Sequence, residues 1–262
     1  MSFMTYTPAM AASPYSIATM TFGEIEAIIK KKPAVILPLG VIEPCAEYGA
    51  LGAASLVCFA LANALSVKKS ILLAPMEVYG YSAAYKAFAG CAAVSKNTLA
   101  ALLYDLMRSW TGQGIRAIIV IDGTFDGAAP VEAATKRLHA SKRGVCCVLN
   151  WQHNRAVRSF IAGHCNGDEY GKSEFGLLSM TAHIDAGYVR PARPDGQRPL
   201  IADQKDFQRW RRMGRDPEKF RKLFPSGRTS PIAAEYSAEF GKDLFSYISA
   251  VFEATVASEL SV

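Results

Sequence analysis

The chain has 262 residues, half of them apolar and a fifth charged, with a formal net charge of +6. That composition belongs to a globular chain long enough to bury a full core, and it excludes a disordered segment, a collagen repeat and a disulfide-stapled miniprotein. No uncharged apolar run reaches the roughly 20 residues needed to cross a bilayer, and residues 1–20 lack the basic-then-apolar order of a secretion signal. A cytoplasmic protein with no membrane partner is expected.

Short apolar runs alternate with helical patterns along the chain. The first run, Ala34 to Gly40, predicts a strand ending in a turn, and the stretch from Ala50 to Leu65 a helix. A second strand is expected at Ile71–Pro75. Ser95 can cap a helix in which Leu99, Leu102, Leu103, Leu106, Met107 and Trp110 recur at helical spacing, closed by Gly112 and Gly114. Ala117–Ile121 gives a third strand, Pro130–Ser141 a helix, Val145–Leu149 a fourth strand and Gln152–Ala162 a further helix. A basic helix is expected over 206–223, and a closing helix carries Phe240, Leu244, Phe245, Ile248, Val251 and Phe252 on one stripe. Continuous rather than alternating apolar strands imply burial on both faces. The expected fold is α/β: one domain over residues 1–262, a mostly parallel sheet flanked by helices on both faces.

Six cysteines stand at 45, 58, 91, 146, 147 and 165 with no CxxC pair, so zinc-finger and thioredoxin-type readings fail and free, mostly buried thiols are expected. Cys146 and Cys147 fall in what reads as a buried strand. Much of the positive charge lies between Arg190 and Arg228. A solvated helix face explains it most simply, with a lid or an interface as alternatives, and no nucleic-acid partner is expected.

In open parallel sheets ligands sit beyond the carboxyl ends of the strands. Gly40 to Ala54 follow the first strand and Asp122 to Gly127 the third, and both spans combine glycines with acids. Here the sequence LPLGVIEP, followed by Leu51-Gly52, resembles the creatinine amidohydrolase (creatininase) family. The likeness continues through Tyr79-Gly80-Tyr81-Ser82, Phe88-Ala89-Gly90-Cys91, the run Gly114 to Gly123, and Pro231-Ile232-Ala233-Ala234 followed by Gly241-Lys242.

The resemblance implies a three-layer creatininase-like sandwich, a homo-oligomer (a hexamer in the family) and, in typical members, a pair of divalent metals. The metal and histidine positions are occupied differently in this chain. Glu43 and Asp126 keep carboxylates, but Cys45, Tyr48, Ala54, Tyr85 and Thr124 stand where the family pattern has other ligands or histidines, and Glu169 and Glu174 fall near its later catalytic segment. No carboxylate bridges at Ala54, so no metal and no cofactor are expected. The expected catalytic residues are Glu43, Cys45, Asp126, Glu169 and Glu174. Glu47, Tyr48, Tyr85, Thr124, Trp151 and His153 are expected to line a pocket for a small-molecule substrate.

Crowded carboxylates divide into an acid and a base, a kit for metal-independent ring closure, ring opening or dehydration of a small amide, lactam or related carbonyl compound, in a biosynthetic setting. Cys45 is either a nucleophile or a packing residue. Two other readings stay open: a non-catalytic ligand-binding or scaffold subunit, and a one-metal amidohydrolase using Glu43, Cys45 and Asp126.

Overall fold

The computed structural model describes residues 13–125, 127–165, 169–191, 216–225, 227 and 235–260. Four strands form one parallel sheet: β1 (Ala34–Leu39), β2 (Leu72–Leu73), β3 (Ala117–Asp122) and β4 (Val145–Leu149), in the order β2-β1-β3-β4. The connections carry α2 (Ala53–Lys69), α3 (Lys96–Gly112) and α4 (Ala128–Ala140), with α1 (Phe22–Lys31) ahead of β1. After β4 come α5 (Arg155–Ala162), α6 (Glu169–Ile184), α7 (Pro217–Leu223) and α8 (Ala238–Leu260).

Because β1 and β3 are buried along their whole length, alternate side chains enter two separate cores. Ala34, Ile36, Ile119 and Ile121 meet α2, α5, α6 and α8 on one face. Val35, Leu37, Leu39, Ile118 and Val120 meet α1, α3 and α4 on the other. The chain steps outward from β1 to β2 with its helix on the first face, then back across β1 to β3 and on to β4 with helices on the second. All three crossovers therefore share one hand. The architecture is the expected three-layer α/β/α sandwich.

Local chemistry sets the element ends. Ser95 caps α3 as its spacing predicts, accepting from Thr98 N at 3.1 Å. Two expected helices start later than the sequence suggests. Ala50 is drawn into a backbone bond from its N–H to Tyr188 O (2.7 Å), so α2 begins at Ala53. Asn154 caps α5 by accepting from Ala156 N and Val157 N, which leaves 151–153 as a turn. Of the expected basic helix 206–223, α7 is the described part, with Asp216 as its cap and Pro217 in its first turn.

One strand is a correction. Val145 and Val148 of β4 are 50% and 41% exposed, so this strand is not buried on both faces as its apolar run suggests. It lies at the edge of the sheet. Cys147 and Leu149 still enter the first core, whereas Val148 faces an open cavity beside α4.

At the carboxyl end of β3, Asp122 is buried and organises its surroundings. Its Oδ1 accepts from the backbone N–H (3.0 Å) and the hydroxyl (2.7 Å) of Thr124, and its Oδ2 accepts from Asn150 Nδ2 at 3.0 Å. Burial raises its pKa above the ordinary aspartate value, partly opposed by the Thr124 and Asn150 hydrogen bonds and the His153 ring.

Two predictions follow from this packing. At Gly241, where α8 crosses α6, a Cβ would stand 1.9 Å from the Ser179 carbonyl oxygen. Gly241→Ala is expected to lower the unfolding free energy by about 3 kcal/mol, read from urea midpoints; an unchanged midpoint would refute that approach of the two helices. For Asp122 a raised native pKa means that the folded state binds the proton more tightly than the unfolded one. Its contribution to stability is thus full below the ordinary aspartate value and declines as pH rises through the raised one. Urea titrations from acid to neutral pH should show that decline in the wild type and not in Asp122→Asn, and parallel curves would refute it.

Candidate functional site

The strand order reverses direction between β1 and β3, and their register pairs Leu39 with Asp122. The loops leaving these two ends are thus held side by side. Gly80 lies across them: a Cβ there would stand 2.4 Å from Gly40 O and 3.3 Å from the Thr124 methyl, so only glycine permits this crossing.

The β1 loop is pinned at several points. Gly40 N donates to Glu77 O at 2.7 Å, and the Ser55 hydroxyl binds both the N–H and the carbonyl of Val41. Ile42 pairs antiparallel with Ala92, Cys45 with Gly49, and Gly49 with Val189. Glu43 is half-buried between these anchors, its backbone N–H bonded to Leu51 O and its carboxylate Oε2 accepting the Ser82 hydroxyl at 2.5 Å.

Cys45 and Tyr48 are buried in a small apolar cluster with Ala46, Ala53, Leu178 and Val189. Glu174 is buried on α6. Burial, then the charges of Glu174 and Glu43, push the Cys45 thiol well above the ordinary cysteine value. Glu43, Cys45 and Glu174, expected from the sequence as catalytic residues, are therefore electrostatic neighbours at the end of β1, with the thiol neutral. Glu47 points outward and is exposed.

A second group stands beside Glu43. Tyr85 and Phe88 pack edge-on against Phe220 of α7, at ring centroid distances of 5.3 and 6.3 Å. Arg221 of α7 donates to Ala87 O and stands 5.3 Å over the Phe88 ring. Cys91 is partly exposed. Burial and the Glu43 charge raise its pKa to about 11, against a lowering by Arg221.

The third group lies at the end of β3. The Thr124 hydroxyl is spent on Asp122, while Asn150 Nδ2 also donates to Thr124 O at 2.8 Å and Gln152 Nε2 to Gly123 O at 3.1 Å. His153 is exposed, its Nε2 bonded to Phe125 O at 2.8 Å. Trp151 is 1% exposed within the first core and packs behind the site. A cavity of about 330 Å³ opens between α4 and β4, lined chiefly by Val131, Thr135, Val148, Asn150 and His153 with Asp122 at its base.

Asp126 lies outside the described residues, and Glu169 is placed only by the backbone of α6. Four participants went unassigned in the sequence: Ser82, Cys91, Asn150 and Arg221. Ser82 and Cys91 lie within the motifs quoted above, and that position was their only signal. Asn150 gives none, since nothing in the pattern distinguishes it from a turn residue. Arg221 is one basic residue among many.

Among the described residues, the donor set around β1 does not fit a metal pair. Among the described residues no group of three or more His, Cys, Asp and Glu side chains is placed to hold a metal ion. Buried Ala54 offers no donor.

Known proteins bear on this geometry in three ways. The model of the creatinine amidohydrolase family, Creatininase, matches residues 18–256. No curated protein matches the chain. Among solved structures, a creatininase is 17% identical with a TM-score of 0.73, covering 94% of this chain and 97% of its own. A glutamate-to-glutamine mutant creatininase complexed with creatine is also 17% identical, with a TM-score of 0.77 and coverage of 94% and 98%. A protein from Bacteroides fragilis described as a creatinine amidohydrolase is 16% identical, with a TM-score of 0.70 and coverage of 95% and 99%. With the family model spanning nearly the whole chain and the sheet, its helices and the strand-end loops in place, the chain belongs to the creatinine amidohydrolase (creatininase) family and carries its amidohydrolase-type fold.

Proposed function

We propose that this protein is a metal-independent enzyme that performs acid–base chemistry on a small amide, lactam or related carbonyl compound. The observation that carries this reading is the placement of two carboxylates, Glu43 and Glu174, beside a neutral thiol at the sheet's switch point. A carboxylate that accepts a hydrogen bond is favoured as the ionised partner, and a buried one as the protonated partner. Glu43, which accepts from Ser82, is assigned as base, and Glu174 as acid.

In ring opening, Glu43 takes a proton from water as its oxygen bonds to the carbonyl carbon, and Glu174 gives a proton to the nitrogen as the C–N bond breaks. Ring closure is the reverse. Tyr48 and Tyr85 are the proposed donors to the oxyanion, and Asp126 and Glu169 remain proposed contributors. Cys45 is assigned a packing role, because a thiol raised this far supplies little thiolate for covalent attack.

The test combines elemental analysis with variants assayed on a panel of small lactams and linear amides. Zinc, manganese, iron and nickel should each be near zero per chain in protein prepared without chelators. Glu43→Gln and Glu174→Gln should each lose at least about 100-fold in kcat, the scale of a general acid or base, with Tm within about 4 °C. Cys45→Ser should keep its activity. A stoichiometric ion lost in Glu43→Gln would overturn the reading in favour of one-metal hydrolysis. Full activity in both carboxylate variants would overturn the site. Binding of a panel member without turnover would favour a ligand-binding subunit.

A further inference from the structure

We propose that Arg221 is an anion anchor at the rim of the β1 loop beside Glu43, and that the molecule bound there carries a carboxylate. The proposal builds on Glu43 as a site residue and names the substrate class.

The placement of Arg221 follows from its neighbour. Phe220 is fully buried, wedged edge-on against Tyr85 and Phe88, and Phe224 one turn later enters the same cluster. Successive residues of a helix point about 100° apart, so burying Phe220 holds Arg221 at the rim. There its guanidinium donates to Ala87 O and lies over the Phe88 ring.

The rim is close to Glu43 through the backbone. Cys91 N bonds to Phe88 O at 3.1 Å, and the antiparallel pairing of Ile42 with Ala92 sets Cys91 alongside Glu43. Beyond α7, Gly227 packs against Pro44 and Phe88. The α7 segment thus covers the β1 loop, and its arginine stands on the Glu43 side.

Among the described residues no carboxylate pairs with Arg221 to neutralise its charge; the Lys136–Glu132 pair lies on α4, away from α7. One of its terminal nitrogens serves Ala87, which leaves the rest of a five-donor fork facing solvent. A neutral carbonyl and an aromatic face orient the guanidinium without cancelling its charge, and Lys219 and Lys222 are exposed on the same short helix.

An ionised Glu43 repels anions by itself. A fixed cation at the rim offsets that repulsion for a substrate carboxylate and holds it away from the acid–base pair. A guanidinium matches a carboxylate in bidentate geometry.

Cys91 is a built-in reporter of this recognition. Iodoacetate and iodoacetamide have nearly the same shape and differ by one charge, and both react with the same thiolate. The ratio of their rates at Cys91, resolved by peptide mass spectrometry, is therefore independent of the thiol's own pKa. That ratio should fall by about threefold or more in Arg221→Gln and be largely kept in Arg221→Lys, as expected for loss of a nearby charge. In the wild type it should fall as salt is added, and 5-oxoproline should protect Cys91 better than 2-pyrrolidinone, the same lactam without the carboxylate.

A ratio unchanged in Arg221→Gln, or insensitive to salt in the wild type, would overturn the anchor, as would equal protection by the two lactams or protection by neither. The salt dependence needs no variant and so stands if Arg221→Gln misfolds. None of these measurements reads turnover, so an enzyme inactive on every lactam would fail the proposed function and leave the result for Arg221 intact.

Discussion

The parallel pairing of β1 with β3 is the constraint on which the rest of the structure depends. Six consecutive residue pairs, from Ala34 with Ala117 to Leu39 with Asp122, lock two strands that are buried on both faces. A slip of one residue would send each side chain into the wrong core. Because the register is fixed by the packing of both cores, the points where the chain leaves the sheet are fixed as well. The β1 loop and the turn after Asp122 come to lie side by side as a consequence of hydrophobic burial far from any chemistry.

That arrangement explains why polar groups at the strand ends are held so firmly. Backbone groups freed when a strand ends inside a protein need partners. Here Ser55 serves Val41, Asp122 serves Thr124, and Asn150 ties Asp122 to the Thr124 carbonyl. Each bond also limits where a functional side chain can stand. Thr124 cannot offer its hydroxyl to a ligand while it donates to Asp122, and Glu43 is oriented by the Ser82 hydroxyl.

How much of this was legible in the sequence depends on whether the signal was local. Strands β1 and β3 were clear, since unbroken apolar runs of six and five residues, each closed by a turn, point to burial on both faces. The same logic misled at β4, where position at the sheet edge decides exposure and Val148 is left largely open to solvent beside α4. Glu43 and Cys45 were found because a strand end is a position that can be read locally. Glu174 could be named only through the family resemblance, since it reaches the site by the packing of α6, which no pattern in its own segment announces. Trp151 looked like a pocket residue beside His153, yet neighbours along a turn point in different directions: the indole entered the core and the imidazole faced solvent. The basic helix read as a solvated face in the sequence. Its charged residues are indeed exposed in α7, but Phe220 within the same segment anchors it over the β1 loop.

The cluster around Cys45 shows why the chemistry of this cleft hangs together as a set. Cys45 packs with Tyr48, Leu178 and Val189, and Leu178 approaches so closely that a Cβ on Gly49 would stand 3.0 Å from it. An imidazole at position 45 would be larger than the thiol and would bury polar nitrogens against apolar carbon, at a cost of several kcal/mol unless partnered. Replacing one residue therefore would not assemble a metal-binding cleft: the loop would have to move away from α6, and with it the carboxylate of Glu174. The same close packing that brings Glu174 to Cys45 keeps the thiol neutral, because burial and two nearby negative charges act in one direction. A neutral thiol is compatible with the Glu43–Glu174 pair whichever of the two holds a proton, whereas burial and these neighbours both disfavour a thiolate. The packing of α6 on the β1 loop thus disfavours a thiolate at Cys45.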